Sequence, residues 1–375
     1  RINPNITNSL FVIFVSIRHL FPILNMQDIM DKIVSLCKRR GFIFPGSEIY
    51  GGLGGTWDYG TLGALMRENI RHAWRRRFVQ ERNDMEYVEG AILMARKTWE
   101  ASGHAAGFND LLVECKKCHE RFRADHLSEG QYAGQGKAKT KNQCTECGGK
   151  EFTAPRQFNM MFETYVGPVK DEERKTYLRP ETAQSMFTNF KNILDSRRRK
   201  PPFGIAQIGR AFRNEIQTGN FIFRSREFEI AEIEYFVKPG EDEKWFEVWL
   251  KEWEKFYLDL GLKKKNLRRY EHPKESLAHY SKRTVDLEYQ FPFGWGEIAG
   301  VANRTDYDLK RHIEYSGEDL AYFNSETKEK YVPYVVEPAL GIDRAFVACL
   351  IDAYDEVEGG RSTTTEANKE VETVL

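Results

Sequence analysis

Hydrophobic and polar residues alternate in two stretches of residues 203–237, which a short polar loop separates. Because side chains two apart on a strand share a face, the pattern predicts an antiparallel hairpin. Arg213 and Glu215 are expected on one face of the first strand. The second strand would place five residues on one face, provided that no bulge intervenes: Arg224, Arg226, Phe228, Ile230 and Glu232. Such a face offers guanidinium groups to phosphates, a ring to a base and carboxylates to an amino group. A hairpin whose charges merely face water is the alternative.

Helical periodicity appears in three further stretches. Residues 27–45 predict a helix that leads into an apolar turn. Apolar residues then recur every four positions at Leu62, Met66, Ile70, Trp74 and Phe78. This spacing predicts a long amphipathic helix, with either the protein core or another subunit against its apolar side. Residues 241–260 predict a second amphipathic helix.

Towards the end of the chain, residues 284–310 predict strands, and residues 331–337 predict one more, which Pro338 interrupts. A helix is expected from about Gly341. Arg344 would lie in its first turn, where free amides and the helix dipole favour an anion. Because irregular lengths separate the strands, the predicted fold class is α+β, with a mainly antiparallel sheet flanked by helices.

The composition limits the classes of function. The 375 residues carry 56 Lys and Arg against 56 Asp and Glu, so the formal net charge is zero. This balance excludes a general basic field, and any contact with nucleic acid must rest on local patches. The charged fraction of 30% and the negative mean hydropathy predict a cytoplasmic protein that does not enter a membrane.

The two ends of the chain differ from the rest. Residues 1–25 contain an apolar run that is too short to span a membrane. We expect a translated upstream stretch there, with a signal peptide or an organellar presequence as alternatives. A catalytic-type domain is expected over residues 26–357. Residues 358–375 are polar and predict a linker.

Two CxxC pairs, Cys115-Lys-Lys-Cys118 and Cys144-Thr-Glu-Cys147, are separated by 25 residues. Four thiolates at this spacing suit one tetrahedral ion, so residues 112–152 predict a zinc-ribbon-like insert with a structural Zn²⁺. Disulfides or free thiols are the alternatives, and a cytoplasmic location disfavours disulfides. His119 and His126 are close enough to serve as substitute ligands. Five lysines make the insert basic, which would suit an RNA backbone: Lys116, Lys117, Lys137, Lys139 and Lys141.

Several motifs resemble those of class II aminoacyl-tRNA synthetases. Phe212-Arg-Asn-Glu215 and Arg224-Ser-Arg-Glu-Phe228 resemble motif 2, Gly341-Ile-Asp-Arg344 resembles the end of motif 3, and the helix from Leu62 resembles motif 1. Residues 47–59, 177–184, 226–234 and 336–338 are similar to homodimeric glycyl-tRNA synthetases, as is the cysteine region at 115–127. The resemblance covers about residues 30–357.

This resemblance implies a homodimer that makes glycyl-adenylate from glycine and Mg-ATP, then esterifies the 3′ end of tRNA(Gly). It implies that Arg213 holds the α-phosphate and the glycine carboxylate, that Glu215 and Phe228 hold adenine, and that Arg224 and Arg344 hold the outer phosphates. Arg213 and Arg344 would be the catalytic groups. The implied glycine-binding residues are Glu181, Arg213, Glu232, Glu337 and Ala339, with the three glutamates around the ammonium group.

The chain departs from the family pattern in three places. Ala339 stands where the family usually has serine, and Thr61 where it usually has proline. The family also continues into a C-terminal anticodon-binding domain, so we expect a truncated chain that activates glycine but charges tRNA poorly. Two other functions stay open. One is a non-catalytic synthetase-like RNA-binding paralogue, and the other is a class II synthetase for another small amino acid.

Overall fold

The computed structural model describes residues 26–130, 140–358 and 371–374. The helices are α1 Met26–Arg39, α2 Thr61–Arg75, α3 Arg96–Ala101, α4 His104–Gly107, α5 Ala124–Glu129, α6 Ala183–Thr188, α7 Phe190–Arg197, α8 Asp242–Asp259, α9 Tyr307–Ser316 and α10 Ile342–Ala353. A π-helical turn, Arg76–Gln80, extends α2. The predicted upstream stretch, residues 1–25, and the insert's Lys137 and Lys139 lie outside the described residues.

The strands are β1 Ile43–Pro45, β2 Trp57–Tyr59, β3 Met85–Tyr87, β4 Asn109–Glu114, β5 Arg121–Arg123, β6 Arg156–Asn159, β7 Glu163–Tyr165, β8 Lys175–Tyr177, β9 Phe203–Phe212, β10 Glu227–Val237, β11 Leu267–Glu271, β12 Arg283–Phe291, β13 Gly294–Thr305, β14 Tyr322–Phe323, β15 Lys330–Tyr331, β16 Tyr334–Gly341, β17 Asp355–Glu358 and β18 Val371–Val374. Seven of them form the central sheet, in the order β11-β12-β13-β16-β10-β9-β3. Its neighbouring strands are antiparallel, except that β3 runs parallel to β9. The predicted α+β class with a mainly antiparallel sheet is confirmed.

The predicted hairpin forms the middle of this sheet. β9 and β10 pair without a break from Phe203 opposite Phe236 to Phe212 opposite Glu227. Tyr235 packs into the main hydrophobic core, whereas Phe236 packs into a smaller core that includes side chains of α6 and α7. Successive side chains of a strand point to opposite faces, so Phe228 and Glu232 share the face of Phe236. The candidate site therefore lies on that face.

Aromatic side chains of α2, its π-helical turn and α8 cover the opposite face of the sheet. Trp74, Trp249 and Trp253 are fully buried. The ring of Phe78 packs edge-on against Trp253 with centroids 4.7 Å apart. Rings of this size remove a large apolar area from water, so this layer holds the sheet rigid behind the site.

The predicted apolar stripe of α2 is only partly correct. Ile70, Trp74 and Phe78 are buried, but Leu62 is 44% exposed. Arg67 occupies an inward position instead and is only 4% exposed. Arginine is almost never fully buried unless it is paired, and periodicity alone could not show the carboxylates that pair with it.

Pro338 does not interrupt its strand, contrary to the sequence prediction. β16 continues through it, and Pro338 is in register with Val301 of β13. On the other side, β16 pairs with β10 at Val336 opposite Tyr235 and at Ala339 opposite Glu232. The ladder between β16 and β10 is interrupted between these two pairs. Proline donates no amide hydrogen, so it fits a strand at a position where such a hydrogen bond is not needed.

Two other segments differ from their predictions. Strands were expected over residues 284–310, but β13 ends at Thr305 and α9 begins at Tyr307. Within the predicted linker, β18 pairs with β17 in an antiparallel ladder.

The cysteine-bearing insert forms a small unit of its own. Its three strands are ordered β5-β4-β6 and span residues 109–159, beyond both bounds of the predicted 112–152. Val113, Phe122 and Leu127 form its separate hydrophobic core.

Across the described ranges, no helix has the length and apolar character needed to cross a bilayer.

The aromatic layer behind the sheet makes a stability prediction. Trp253→Ala should lower the free energy of unfolding by about 3–5 kcal/mol, because it empties a fully buried site and removes the hydrogen bond from Trp253 Nε1 to Gly300 O. Denaturant unfolding would measure the change. Leu258→Ala on the same helix, where the side chain is 39% exposed, is the matched control and should change stability by less than about 1 kcal/mol. Equal losses in both variants would contradict the described core.

Candidate active site

The predicted phosphate-binding residues lie at one end of the hairpin, just beyond its paired strands. β9 ends at Phe212, so Arg213 and Glu215 stand in the connecting segment rather than on the strand. Arg224 likewise precedes β10. These three residues lie outside the strands, where side chains do not alternate between two faces. The prediction that they lie on one face of a strand is therefore wrong.

Arg226 was also predicted on the ligand-binding face of the second strand, but it precedes β10. Its Nε and Nη2 donate to the backbone carbonyl of Glu215 at 3.2 and 3.0 Å, and its Nη1 donates to the carbonyl of Gly54. The side chain thus joins the hairpin's connecting segment to the glycine-rich loop at 51–55. This is a structural role rather than a ligand-facing one.

All five predicted ATP-binding residues line a single cavity of about 110 Å³. They are Arg213, Glu215, Arg224, Phe228 and Arg344. The fold brings them together from the hairpin and from the first turn of α10. A cavity with three arginines and an aromatic wall suits a nucleotide, whose phosphates are anionic and whose base is flat.

Aromatic rings and carboxylates hold these arginines. The guanidinium carbon of Arg213 lies 5.4 Å from the ring centres of both Phe108 and Phe228, and its Nε donates to Pro180 O at 3.2 Å. Arg344 Nη1 donates to Glu297 Oε2 at 2.7 Å. Rings and single carboxylates leave further donors of a guanidinium available to a ligand.

A larger cavity of about 540 Å³ adjoins the smaller one and shares Arg224, Arg344 and Glu297 with it. His126 and Thr145 of the insert line its far side. The insert therefore forms part of the wall of the larger cavity, which has room for a long anionic ligand.

Buried carboxylates form a second cluster beside the cavities, on the same face of the sheet. Glu232 on β10 is 3% exposed, and its Oε2 accepts hydrogen bonds from the backbone N–H of Thr182, at 2.7 Å, and from the hydroxyl of Thr182. Glu181 is 7% exposed and accepts from Gln184 Nε2 at 3.0 Å. Glu181 Oε2 also lies 3.2 Å from His104 Nε2. The segment at 177–184 thus brings its glutamate to that of the hairpin.

Arg304 is the cation at the centre of this cluster. It is 1% exposed, and its Nε and Nη2 donate to both oxygens of Asp308 at 2.7 and 2.8 Å. Its Nη1 donates to Glu337 Oε2 at 2.8 Å. Arg304, which the sequence prediction did not include, therefore pairs with one of the three predicted glycine-binding glutamates, Glu337.

Glu234 is a further buried carboxyl on the same face. Within the described part of the chain, neither of its side-chain oxygens has a hydrogen-bond partner. Burial raises the pKa of Glu234 well above its usual range, and the charge of Glu337 adds to this shift. Ionising an unpaired buried carboxylate is strongly unfavourable, so Glu234 is held as the neutral acid.

The other carboxyls are shifted in different directions. Burial raises the pKa of Glu337 to about 8 against the opposing charge of Arg304, and the charges of Glu232 and Glu181 add to the rise. Burial, followed by the charge of Glu181, raises the pKa of Glu232. Burial would also raise the pKa of Glu181, but its ion pair with His104 outweighs this and lowers the value. The cluster carries more carboxyl groups than cations.

Ala339 lies on β16 between two residues of the neighbouring strands. It is in register with Glu232 of β10 and with Gly300 of β13. Both positions fall beside the carboxylate cluster. A side-chain hydroxyl at position 339 would therefore lie near Glu232, as the family pattern implies.

The four cysteines of the insert converge. The sulfur atoms of Cys115, Cys118, Cys144 and Cys147 all lie within 4.8 Å of one another. This arrangement fits a tetrahedral thiolate site for Zn²⁺ with no position left for a substrate. The two histidines offered as substitutes lie elsewhere, since His119 contacts Glu114 and His126 lines the larger cavity.

Several residues of the site were not found from the sequence: His104, Thr182, Gln184, Glu234, Arg304 and Asp308. Arg304 and Asp308 are four apart, which resembles an ordinary surface pair on a helix. The available signal was the family resemblance, because Thr182, Gln184 and Glu234 lie within the similar stretches 177–184 and 226–234.

Comparisons with known proteins agree with this geometry. The family of the tRNA synthetase class II core domain (G, H, P, S and T) matches residues 161–354. A glycine–tRNA ligase of Thermobifida fusca is 54% identical over 340 residues, which cover 88% of this chain and 74% of the relative. A glycine–tRNA ligase of Bifidobacterium longum is 52% identical over 358 residues, covering 93% of this chain and 72% of the relative.

Solved structures show the same fold at low sequence identity. A prolyl-tRNA synthetase from Cryptosporidium parvum, complexed with L-proline and AMP, aligns with a TM-score of 0.59 at 13% identity and covers 88% of this chain and 55% of that one. A Giardia lamblia prolyl-tRNA synthetase in complex with prolyl-adenylate gives a TM-score of 0.59 at 14% identity. From the class II core, the shared fold and the identity to curated relatives, this chain belongs to the glycine–tRNA ligase family of class II aminoacyl-tRNA synthetases.

Proposed function

We propose that this chain is a glycine–tRNA ligase, which activates glycine with ATP and transfers it to the 3′ end of tRNA(Gly). The observation that carries the proposal is the pairing of two sites on one face of the sheet. One is an arginine-lined cavity with an aromatic wall, and the other is a carboxylate cluster with too few cations. The relatives named above support the choice of glycine.

The carboxylate cluster supports an ammonium-centred amino-acid site. Glu181, Glu232 and Glu337 are each less than 10% exposed, so a bound cation there would be largely desolvated and strongly attracted. Glycine has no side chain to recognise, and its binding must come from its two charged ends. Ala339 lies beside this site on β16. Larger amino acids would be refused by lack of space.

The arginines support the roles that the resemblance implies for ATP. Arg213 lies between the cavity and the glutamates, since its Nε contacts the carbonyl of Pro180, the neighbour of Glu181. It would contact both the glycine carboxylate and the α-phosphate. Arg224 and Arg344 would bind the outer phosphates, and Glu215 and Phe228 the adenine. Glu297, now paired with Arg344, offers oxygen atoms of the kind that Mg²⁺ prefers.

The proposed reaction needs no general base in its first step. A carboxylate oxygen of glycine attacks the α-phosphorus, the new P–O bond forms, and the bond to pyrophosphate breaks. Charge that grows on the phosphoryl oxygens would be stabilised by Arg213 and Arg344. In the second step the terminal ribose hydroxyl of tRNA attacks the carbonyl carbon, and AMP leaves.

Other parts of the proposal rest on separate features. Cys115, Cys118, Cys144 and Cys147 would hold a Zn²⁺ that stabilises the insert, and reduced cysteines at this spacing suit the cytoplasm. Lys116 and Lys117 are exposed on the insert and would suit a tRNA backbone.

Homodimer formation is supported by exposed apolar residues around the start of α2: Ile49, Tyr50, Leu53, Leu62 and Leu65.

Amino-acid-dependent exchange between ATP and pyrophosphate tests this function. The wild-type chain should support exchange with glycine and not with alanine, serine or proline. Glu232→Gln should lower glycine-dependent exchange by about 100-fold or more, because it removes a buried charge from the ammonium site. Glu227→Gln is the matched control on the same strand, where the carboxylate pairs with Arg210 at the surface. Exchange with another amino acid would favour the second class II function, and no exchange at all would favour the non-catalytic paralogue.

Position 339 allows a gain-of-affinity prediction. Ala339→Ser should lower the KM for glycine by about fivefold, since one added hydrogen bond contributes about 1 kcal/mol. The KM for ATP should stay the same, because Ala339 is not part of the lining of the nucleotide cavity. Steady-state exchange kinetics would measure both constants. A higher KM for glycine would show that the hydroxyl clashes with the site.

The insert makes a prediction for metal removal. Chelation, or Cys144→Ser, should release about one zinc per chain and make residues 109–159 sensitive to proteolysis. The KM for ATP should rise by about tenfold, because His126 and Thr145 line the larger cavity with Arg224 and Arg344. Cys349→Ala, outside the cluster, is the control. Full metal loss with an intact insert would contradict a folding role for the ion.

A further inference from the structure

A compact group of charges lies beneath the floor of the smaller cavity. Glu229 follows Phe228 on β10, and Asp343 precedes Arg344 in the first turn of α10. The two carboxylates are only 5% and 6% exposed, although both residues border the cavity. The backbone N–H of Glu229 donates to Asp343 Oδ2 at 2.8 Å. This bond fastens the start of β10 to the start of α10.

Arg67 of α2 contacts both carboxylates from the opposite face of the sheet. Its Nε lies 3.2 Å from Glu229 Oε2, and its Nη2 lies 3.4 Å from Asp343 Oδ1. The hydroxyl of Tyr59 donates to the same Asp343 oxygen at 2.5 Å, and the Arg67 guanidinium carbon lies 4.3 Å from the Tyr59 ring centre. Within the described residues neither of these Arg67 nitrogens is aligned for a hydrogen bond, so the contact is an ion pair in which one spread-out guanidinium charge lies close to two buried carboxylates.

Arg71, one turn further along α2, provides a comparison within the same cluster. Its Nε and Nη2 donate to the two oxygens of Glu229 at 2.7 Å each, and its Nη1 donates to Glu68. Its side chain is 25% exposed, against 5% for that of Arg67. Arg71 therefore balances the charge of Glu229, while Arg67 also reaches Asp343.

We propose that Arg67 is a positioning residue for ATP. By holding Glu229 and Asp343 together, it fixes the relative placement of their chain neighbours Phe228 and Arg344. These two side chains bind the adenine and the outer phosphates in the proposed function, on which this inference rests. Arg67 itself does not line the nucleotide cavity, so its influence passes through the two carboxylates.

The carboxylate cluster for the amino acid depends on other contacts. Glu181, Glu232 and Glu337 are held by His104, Thr182 and Arg304, and none of these touches Arg67. Loss of Arg67 leaves two buried carboxylates on neighbouring elements with less compensating charge, and they must separate or change protonation. The first consequence is a shift between β10 and α10 at the nucleotide cavity.

Exchange kinetics of Arg67→Met and Arg67→Lys test this inference, with the full chain and both substrates varied. We expect the KM for ATP to rise by about 10- to 100-fold, as small displacements of binding groups do, while the KM for glycine changes less than about threefold. Arg71→Met, which leaves the contact with Asp343 in place, is the matched control and should shift the KM for ATP much less.

Folding of each variant is checked by thermal unfolding. If Arg67→Met does not fold, Arg67→Lys carries the test, because it keeps a positive charge at this position but loses the planar guanidinium that reaches both Glu229 and Asp343. An unchanged KM for ATP in a folded variant would overturn the inference, and so would equal rises in both KM values, which indicate general loosening. If the wild-type chain itself shows no exchange, the proposed function fails instead.

Discussion

An excess of buried carboxyl groups over buried cations is the constraint on which the candidate site depends. Five acidic side chains meet Arg304 and His104 on one face of the sheet: Glu181, Glu232, Glu234, Asp308 and Glu337. Such a group can persist only if some of its members stay protonated or a cation arrives. Burial raises the pKa of Glu232 and of Glu337, which favours the first solution, protonation, in the free protein. In the proposed function, a bound ammonium group would supply the second.

The two faces of β10 illustrate how the same residue types serve different purposes. Behind the sheet, the buried carboxylates of Glu229 and Asp343 are paired with Arg67 and Arg71, so their charges are compensated without a ligand. In front of the sheet, the carboxyl groups are not matched, and charge is left over for a ligand. Successive side chains of β10 point to opposite faces of the sheet. Glu229 therefore points to the arginines behind the sheet, while its neighbour Phe228 points to the face of the candidate site.

The hairpin, the convergence of the four cysteines and the grouping of five predicted residues around one cavity follow from local spacing or from a motif, so the sequence could predict them. It failed where distant residues decide the outcome. Arg67 falls outside the predicted apolar stripe of α2, and the sequence cannot predict its burial because its partners Glu229 and Asp343 are far away in the chain. Pro338 was expected to end a strand, because the open ladder on one side of β16 cannot be seen from one segment alone. Arg304 was missed for the same reason as Arg67.

Calorimetric titration of the wild-type chain with glycine, beside a non-hydrolysable ATP analogue, tests the central claim most directly. Two buffers with different heats of ionisation would reveal the protons exchanged on binding. Because the pKa of Glu337 is raised to about 8, part of the population is protonated near neutral pH, and an ammonium group should displace that proton. The expected result is net proton release at about pH 7 that fades by about pH 9. Glycine binding with no proton release, or with proton uptake, would contradict an ammonium site built from these carboxyl groups.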